Sequence, residues 1–540
     1  MLAFVYWHDD KHSTHEAAFN NVTVAGCVIG MVFFGVLADI FGRRKMYGFQ
    51  LIIVIVGTMG VVMSSTGYIP IDQTNSQAPG SIDFSSFGSM NIESWLLFWR
   101  FLSGIGIGAE YPLSAVIAAE FSPTTKRARI LAIVFAMQAA GIAAVAIVSL
   151  IVTKAVQRRH PYNPEQPETS ARAVDQIWRW VFGLSLLPAL VTAIMRFTIP
   201  ESPRYTLDVL NDPLKASKET DRLKGFTPGS EVFSQSDTAV NSRCLESNEE
   251  EIVTNGGNSD GPVEDGDAKG LTIRQYFWIE GNWRYLFATS AIWLLMDFST
   301  YFLGVNETQQ LSKFWYGPTV VVKSPSTWDS NTVDPKVSIF SVLIENSVHL
   351  LVIESITSNT GSILLVLFIS RLNRKLLAWA TFLATGILLI VTGASLLATI
   401  GSQSWGVGIA LYSLCKFADA FGPSPLTFLL PAEIFPTTYR ASCHGISAAS
   451  GKVGALLASV LLEYITFGRG SKKITESASP TAWLGYVLIV FAIPMFIGAG
   501  IGWLYIPELQ HPSGESKTLE QLAEGRQSER SESMRDLDMT

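Results

Sequence analysis

Residues 112–128 read PLSAVIAAEFSPTTKRA, and residues 425–441 read PLTFLLPAEIFPTTYRA. Superimposed without a gap, Pro112, Leu113, Ala119, Glu120, Pro123, Thr124, Thr125, Arg127 and Ala128 recur as Pro425, Leu426, Ala432, Glu433, Pro436, Thr437, Thr438, Arg440 and Ala441. Each copy closes an apolar run with a carboxylate, turns at a proline and restarts on a basic residue. So long a match at one constant offset points to two similarly built halves. In a membrane protein, parallel halves mark one large class of secondary transporter.

Composition places those halves in a membrane. Of the 540 residues 48% are apolar and only 16% charged, where a soluble protein carries roughly 25% charged residues. Blocks such as 25–37, 51–63, 181–199, 376–400 and 482–505 reach the ~20 apolar residues that cross a bilayer, or form the centre of stretches that do. Hydropathy predicts about eleven spans, near 16–38, 47–66, 95–121, 129–153, 177–200, 284–306, 341–369, 376–399, 405–430, 440–467 and 482–506. A soluble core is excluded, and an all-α polytopic membrane protein is expected.

The repeat explains the odd count. In the second half the repeated stretch closes the fourth span after a polar linker, whereas in the first half it closes only the third. One span is therefore expected to be missing at the front, with the opening MLAFVYWHDD as the outer end of a lost first helix. Were the chain complete, its first half would be one helix short and would start outside. The expected organisation is an N-terminal half over 1–207, a linker over 208–272, a C-terminal half over 273–511 and a tail over 512–540. The linker is rich in Ser, Gly, Asn and acid, including Glu249–Glu251, and the tail in Ser and charged residues. Such segments bury too little apolar surface to fold, so both are expected to be disordered and cytoplasmic.

Lysine and arginine set the orientation. Ser64 to Ser94 contains neither and belongs outside, whereas Lys126, Arg127, Arg129, Arg374, Lys375 and Arg440 flank loops that belong inside. Lys154, Arg158, Arg159 and Arg172 disagree, falling in a loop assigned outside. The net charge of −7 sits largely in one loop and the tail and identifies no partner. Cys27, Cys244, Cys415 and Cys443 have no metal or disulfide spacing. MLAFVYW is too short and lacks the basic leader of a signal peptide. No nucleophile–base pair, metal set or phosphate loop appears, so neither an enzyme nor a cofactor is expected.

A polar side chain at mid-membrane costs at least ~2.5–3.5 kcal/mol, so each one present is paired or functional. That filter selects Glu110, Tyr111, Gln138, Trp293, Asp297, Tyr301, Lys416, Asp419 and Lys452. Trp293, Asp297 and Tyr301 are four apart and share one helix face. A protonated carboxylic acid between an indole and a phenol can hydrogen-bond an oxyanion; ionised, it repels one, which couples proton and anion binding. The plainer alternative is an Asp297–Lys452 ion pair that only joins the halves. Lys452 follows the small-residue run Gly445–Gly451, which permits close helix packing, and supplies the counter-charge an anion needs. Lys416 and Asp419 read as a mutually neutralising i,i+3 pair. Glu120 and Glu433, each followed by Arg127 and Arg440, are expected to supply inner-gate ion pairs. Glu345, His349 and Glu354 lie at or inside the next span, and His349 reads as a packing residue.

The stretch Gly35 to Lys45, GVLADIFGRRK, permits a tight turn, offers Asp39 to an arginine such as Arg43, and holds its loop inside with three cations. It resembles the GxLaDxxGRRK signature of the major facilitator superfamily, which implies two six-helix halves. Ser370–Lys375 keeps the cations but lacks the acid and the glycine. GIGIGAEYPLSAVIAAEF, the WxxxDxxxY of residues 293–301 and PAEIFPTTYRASCHGISAASGK resemble the fungal and plant phosphate:proton symporters of that superfamily. The resemblance covers the chain except linker and tail. It implies that Tyr111, Gln138, Trp293, Asp297, Tyr301 and Lys452 ring a phosphate site, with Glu110, where that family usually has aspartate, in a proton role beside Asp297. Ser424 follows Phe421-Gly422-Pro423 where the family usually has asparagine, and would reach less far. The implied protein is a monomer in the plasma membrane that takes up phosphate or a phosphate-containing anion with protons and binds no nucleic acid. A glycerophosphodiester or organic-metabolite transporter on the same fold, or a non-transporting nutrient receptor, stays open.

Overall fold

A computed structural model of the chain describes residues 1–6, 12–65, 91–160, 167–210, 212–226, 272–304, 339–398, 405–467, 480–511 and 516–523. Cys244, Glu249–Glu251, most of the expected outer segment between Ser64 and Ser94, and the greater part of the linker and tail lie outside the described residues.

The first half contains α1 (Leu2–Tyr6), α2 (His12–Phe41), α3 (Arg43–Met63), α4 (Ile92–Glu120), α5 (Arg127–Arg159), α6 (Pro167–Leu184) and α7 (Leu186–Thr198). Two short helices follow, α8 (Pro203–Asp208) and α9 (Pro213–Phe226). The second half holds α10 (Trp283–Gly304), α11 (Ile339–His349), a π-helical turn at Leu350–Ser355, α12 (Ile356–Phe368), α13 (Arg374–Ala398), α14 (Trp405–Phe421), α15 (Pro423–Ile434), α16 (Arg440–Phe467) and α17 (Pro480–Tyr505). A last turn, α18, spans Leu519–Ala523. Among the described residues nine helical segments are long and apolar enough to cross a membrane. Two further segments stand outside that set: α10, and the repeat-bearing stretch that breaks at Gly422 into α14 and α15.

The halves meet through exchanged helices: α2 lies against α16, while α11 and α12 lie against α5. Since α5 and α16 each follow a copy of the repeat, these contacts are equivalent under the two-fold relation that the repeat implies. Contact at α2 is backbone to backbone. A Cβ on Gly35 would stand 2.6 Å from the carbonyl oxygen of Ala441, which explains why small residues line that seam. Gly104 and Gly108 receive the backbone of α2 at Thr23 and Cys27.

Three local features depart from the expectations. At ~1.5 Å per residue, the 33-residue α5 reaches ~50 Å, well beyond the ~30 Å apolar layer. Lys154, Arg158 and Arg159 lie within the last two turns of this helix and not in a loop. Within the expected linker, α9 is capped by Asp212, whose Oδ1 accepts from Lys215 N at 3.0 Å, and docks through Glu219, which accepts from Thr206 at 2.7 Å. Within the expected tail, Thr518 and Gln521 form a reciprocal capping box and Leu519 and Leu522 bury against the core, so α18 folds on α15.

Candidate functional site

Trp293, Asp297 and Tyr301 do share one face of α10, as their spacing requires. Lys452, one residue past Gly451 on α16, places Nζ 3.0 Å from Asp297 Oδ2. Both partners belong to the second half, so this ion pair does not join the halves, against the plainer reading of it. The joining is done by Tyr111 of α4: its ring centroid stands 5.5 Å from Lys452 Nζ and 6.5 Å from the Trp293 ring. Tyr301 adds a second ring at 5.9 Å from the ammonium. Gly451 is needed because a Cβ there would overlap the Trp293 indole. On its far side Trp293 is held by the edge of His444, whose ring bonds the Phe428 carbonyl at 3.0 Å. The result is one ammonium and one carboxylate, 7% exposed at the latter, between aromatic groups from both halves.

Other expected site residues stand elsewhere. Glu110 turns into the first half, where Arg196 forks onto it at 2.6 and 2.8 Å and Gln50 donates at 2.5 Å. Arg196 in turn stacks on Tyr47. Gln138 is exposed on α5 and, among the described residues, takes no part in the bonds around Asp297. Ser424 donates to Asp419 Oδ2 at 2.8 Å and touches Met296 Sδ at 3.6 Å, one residue from Asp297. Lys416 forms an ion pair with Glu354, on the π-helical turn at Leu350–Ser355, at 3.0 Å, and also lies within electrostatic reach of Asp419. His349 is buried, with Glu345 at 4.0 Å.

A second network closes the end of the bundle that the lysine and arginine distribution assigns to the inside. Gly42 has φ 98°, a left-handed conformation that suits glycine, and lets α3 start on Arg43 directly after α2. Asp39 reaches the other half and caps α16, accepting from Ser442 N at 2.7 Å, Ser442 Oγ at 2.6 Å and Ala441 N at 3.3 Å. Arg43 pairs with Asp39 at 3.0 Å and Glu120 at 3.4 Å, and donates to the Thr437 carbonyl at 2.5 Å. Arg440 crosses to Glu120 at 3.1 Å. Glu433 takes Arg374 at 3.2 Å, and Arg127 donates to Thr124 Oγ1 at 3.3 Å.

Arg43–Glu120 and Arg374–Glu433 are equivalent pairs, each joining the arginine that opens α3 or α13 to the repeated glutamate of the same half. The repeat held the signal for Arg374, which sequence reading left as a topological cation. Glu201, in the Pro200–Arg204 stretch that resembles the family's end of the sixth helix, takes a role that the resemblance did not specify: its carboxylate accepts from Arg43 N at 3.0 Å and Arg44 N at 3.1 Å, so it caps α3. The motif does not reveal its partners, which are backbone amides some 160 residues away in the chain.

The model of the sugar (and other) transporter family matches residues 3–255 and 330–520. A repressible high-affinity phosphate permease of Neurospora crassa is 31% identical over 528 residues, covering 97% of this chain and 81% of that protein. The inorganic phosphate transporter PHO84 of Saccharomyces cerevisiae is 32% identical over 534 residues, covering 97% and 80%. Among solved structures, the major facilitator proton:xylose symporter XylE, bound to 6-bromo-6-deoxy-D-glucose, superimposes with a TM-score of 0.65 at 18% identity, covering 96% of this chain and 92% of that one.

Proposed function

The chain belongs to the sugar (and other) transporter family and has the major facilitator fold, and from that premise we propose that it carries inorganic phosphate, or a phosphate-containing anion, across the plasma membrane together with protons. The observation that carries the reading is the Asp297–Lys452 pair, flanked by Tyr111 of the opposite half. With Asp297 ionised, the ammonium is already neutralised and an arriving anion meets no net positive charge. Protonation of Asp297 releases Lys452 to the anion, and the neutral acid becomes a donor, as do the phenols of Tyr111 and Tyr301. Proton and anion therefore enter together, and each favours the other by charge alone. The relatives named as phosphate carriers support the choice of cargo.

Transport then requires the two halves to rock about this site. The Asp39, Arg43, Glu120 and Arg440 network is the inner gate that parts in each cycle, with Glu433–Arg374 beside it. Glu110 could exchange a proton only by parting from Arg196, so proton coupling is assigned first to Asp297. Arg127 and Gln138 are assigned to the gate and to the cargo path by their positions on α5.

The test is uptake of labelled phosphate into vesicles holding the full chain. Asp297→Asn is expected to abolish accumulation driven by a pH gradient. Accumulation at the unsubstituted level would defeat the assignment.

A further inference from the structure

The central site holds a second carboxylate that the reading above leaves unused. Asp419 lies on α14, within electrostatic reach of Lys416, Asp297 and Glu354. Its Oδ2 accepts the Ser424 hydroxyl at 2.8 Å, but its Oδ1 is buried and, among the described residues, has no hydrogen-bond partner. The charges around it are otherwise matched. Lys452 is paired with Asp297 across from it, and Lys416 on its own helix is paired with Glu354. Cys415, also on α14, bonds Thr392 of α13. Counted together, two cations face three carboxylates, and the surplus negative charge is Asp419. An anion entering beside it would meet a buried cluster of net negative charge, which is among the costliest arrangements available in a low dielectric.

We propose that Asp419 is a second proton-binding acid of the anion site, taking its proton on Oδ1 and presenting that proton to the cargo. Ser424 selects the oxygen. Its hydroxyl donates to Oδ2, so Oδ1 is the oxygen left to receive a proton from the outer solution. Once protonated, the O–H turns from acceptor to donor and points its hydrogen at an oxyanion instead of repelling it. When the anion leaves on the inner side, the proton leaves Oδ1 with it and the carboxylate is restored. The serine that follows Gly422-Pro423 and the aspartate five residues earlier thus act as one unit. This proposal rests on the anion-and-proton reading of the site.

The experiment measures protons moved per phosphate in vesicles containing the full chain, for the unsubstituted protein, Asp297→Asn and Asp419→Asn. Asparagine keeps the shape and supplies a permanent N–H donor. Uptake that remains in Asp419→Asn is expected to move one proton fewer per phosphate, and the slope of log rate against pH is expected to fall by one. An unaltered ratio and slope would overturn the proposal while leaving the Asp297 assignment intact. If the unsubstituted chain moves no protons with phosphate, the underlying reading fails and the proposal fails with it. Infrared difference spectra of the unsubstituted chain provide a measurement that does not depend on the variant folding. Adding phosphate is expected to raise two protonated-carboxyl bands, one of which shifts in Ser424→Ala. A single band that ignores Ser424→Ala would overturn the proposal.

Discussion

Glu120→Gln keeps the size and shape of the side chain and removes one negative charge from the proposed inner gate. In the closed arrangement Glu120 Oε1 faces Arg440 at 3.1 Å and Arg43 at 3.4 Å, and neither arginine is more than 1% exposed. Removing one partner of such a buried pair strands a dry cation and costs ~3–5 kcal/mol. With the halves apart, both arginines reach water and the same loss costs at most ~1 kcal/mol. The difference, about 2–4 kcal/mol, falls on the closed state alone and shifts the balance toward the inward-open form by roughly 30- to 1,000-fold. Spin labels at Thr125→Cys and Thr438→Cys, equivalent positions of the two repeats, report the separation of the halves once the native cysteines are replaced. The long-distance population is expected to become dominant in Glu120→Gln. If the variant folds and its distance distribution matches that of the parent, the gate is not held by these charges and the argument fails.

A wedge should act on the same equilibrium without touching any charge. Gly35→Val puts a branched side chain where a single Cβ already stands 2.6 Å from the Ala441 carbonyl oxygen, so the same spin labels should separate and transport should fall at least tenfold; normal uptake would mean that α2 and α16 do not close this tightly. Arg374→Ala and Glu433→Ala should be coupled, because their pair is nearly sealed from water. A double-mutant cycle on thermal unfolding should return a coupling of about 0.5–3 kcal/mol, and additivity would show the pair to be idle.

Much of the architecture was legible from the chain alone. Hydropathy located each of the nine spanning segments found among the described residues, since twenty apolar residues in a row have few other stable destinations. The four-residue spacing of Trp293, Asp297 and Tyr301 by itself puts them on one helix face, because helical geometry is local. Two short helices were overlooked for the opposite reason. In α9 and α18 the signals, Asp212 before Pro213 and Thr518 ahead of Gln521, are a few residues long and sit inside stretches whose average composition is that of a solvated coil.

Pairing of charges was beyond sequence. Which arginine meets which glutamate is decided by where helices cross: Arg440 turned to Glu120 in the other half, Glu433 to Arg374, Lys416 to Glu354, and Glu110 to Arg196. A chain's order of residues determines what must be buried and at what period, because burial and helical rise act within a few turns. Only the folded bundle decides who neutralises whom, since Coulomb energy depends on distance in space, and residues 320 positions apart end within reach of one hydrogen bond.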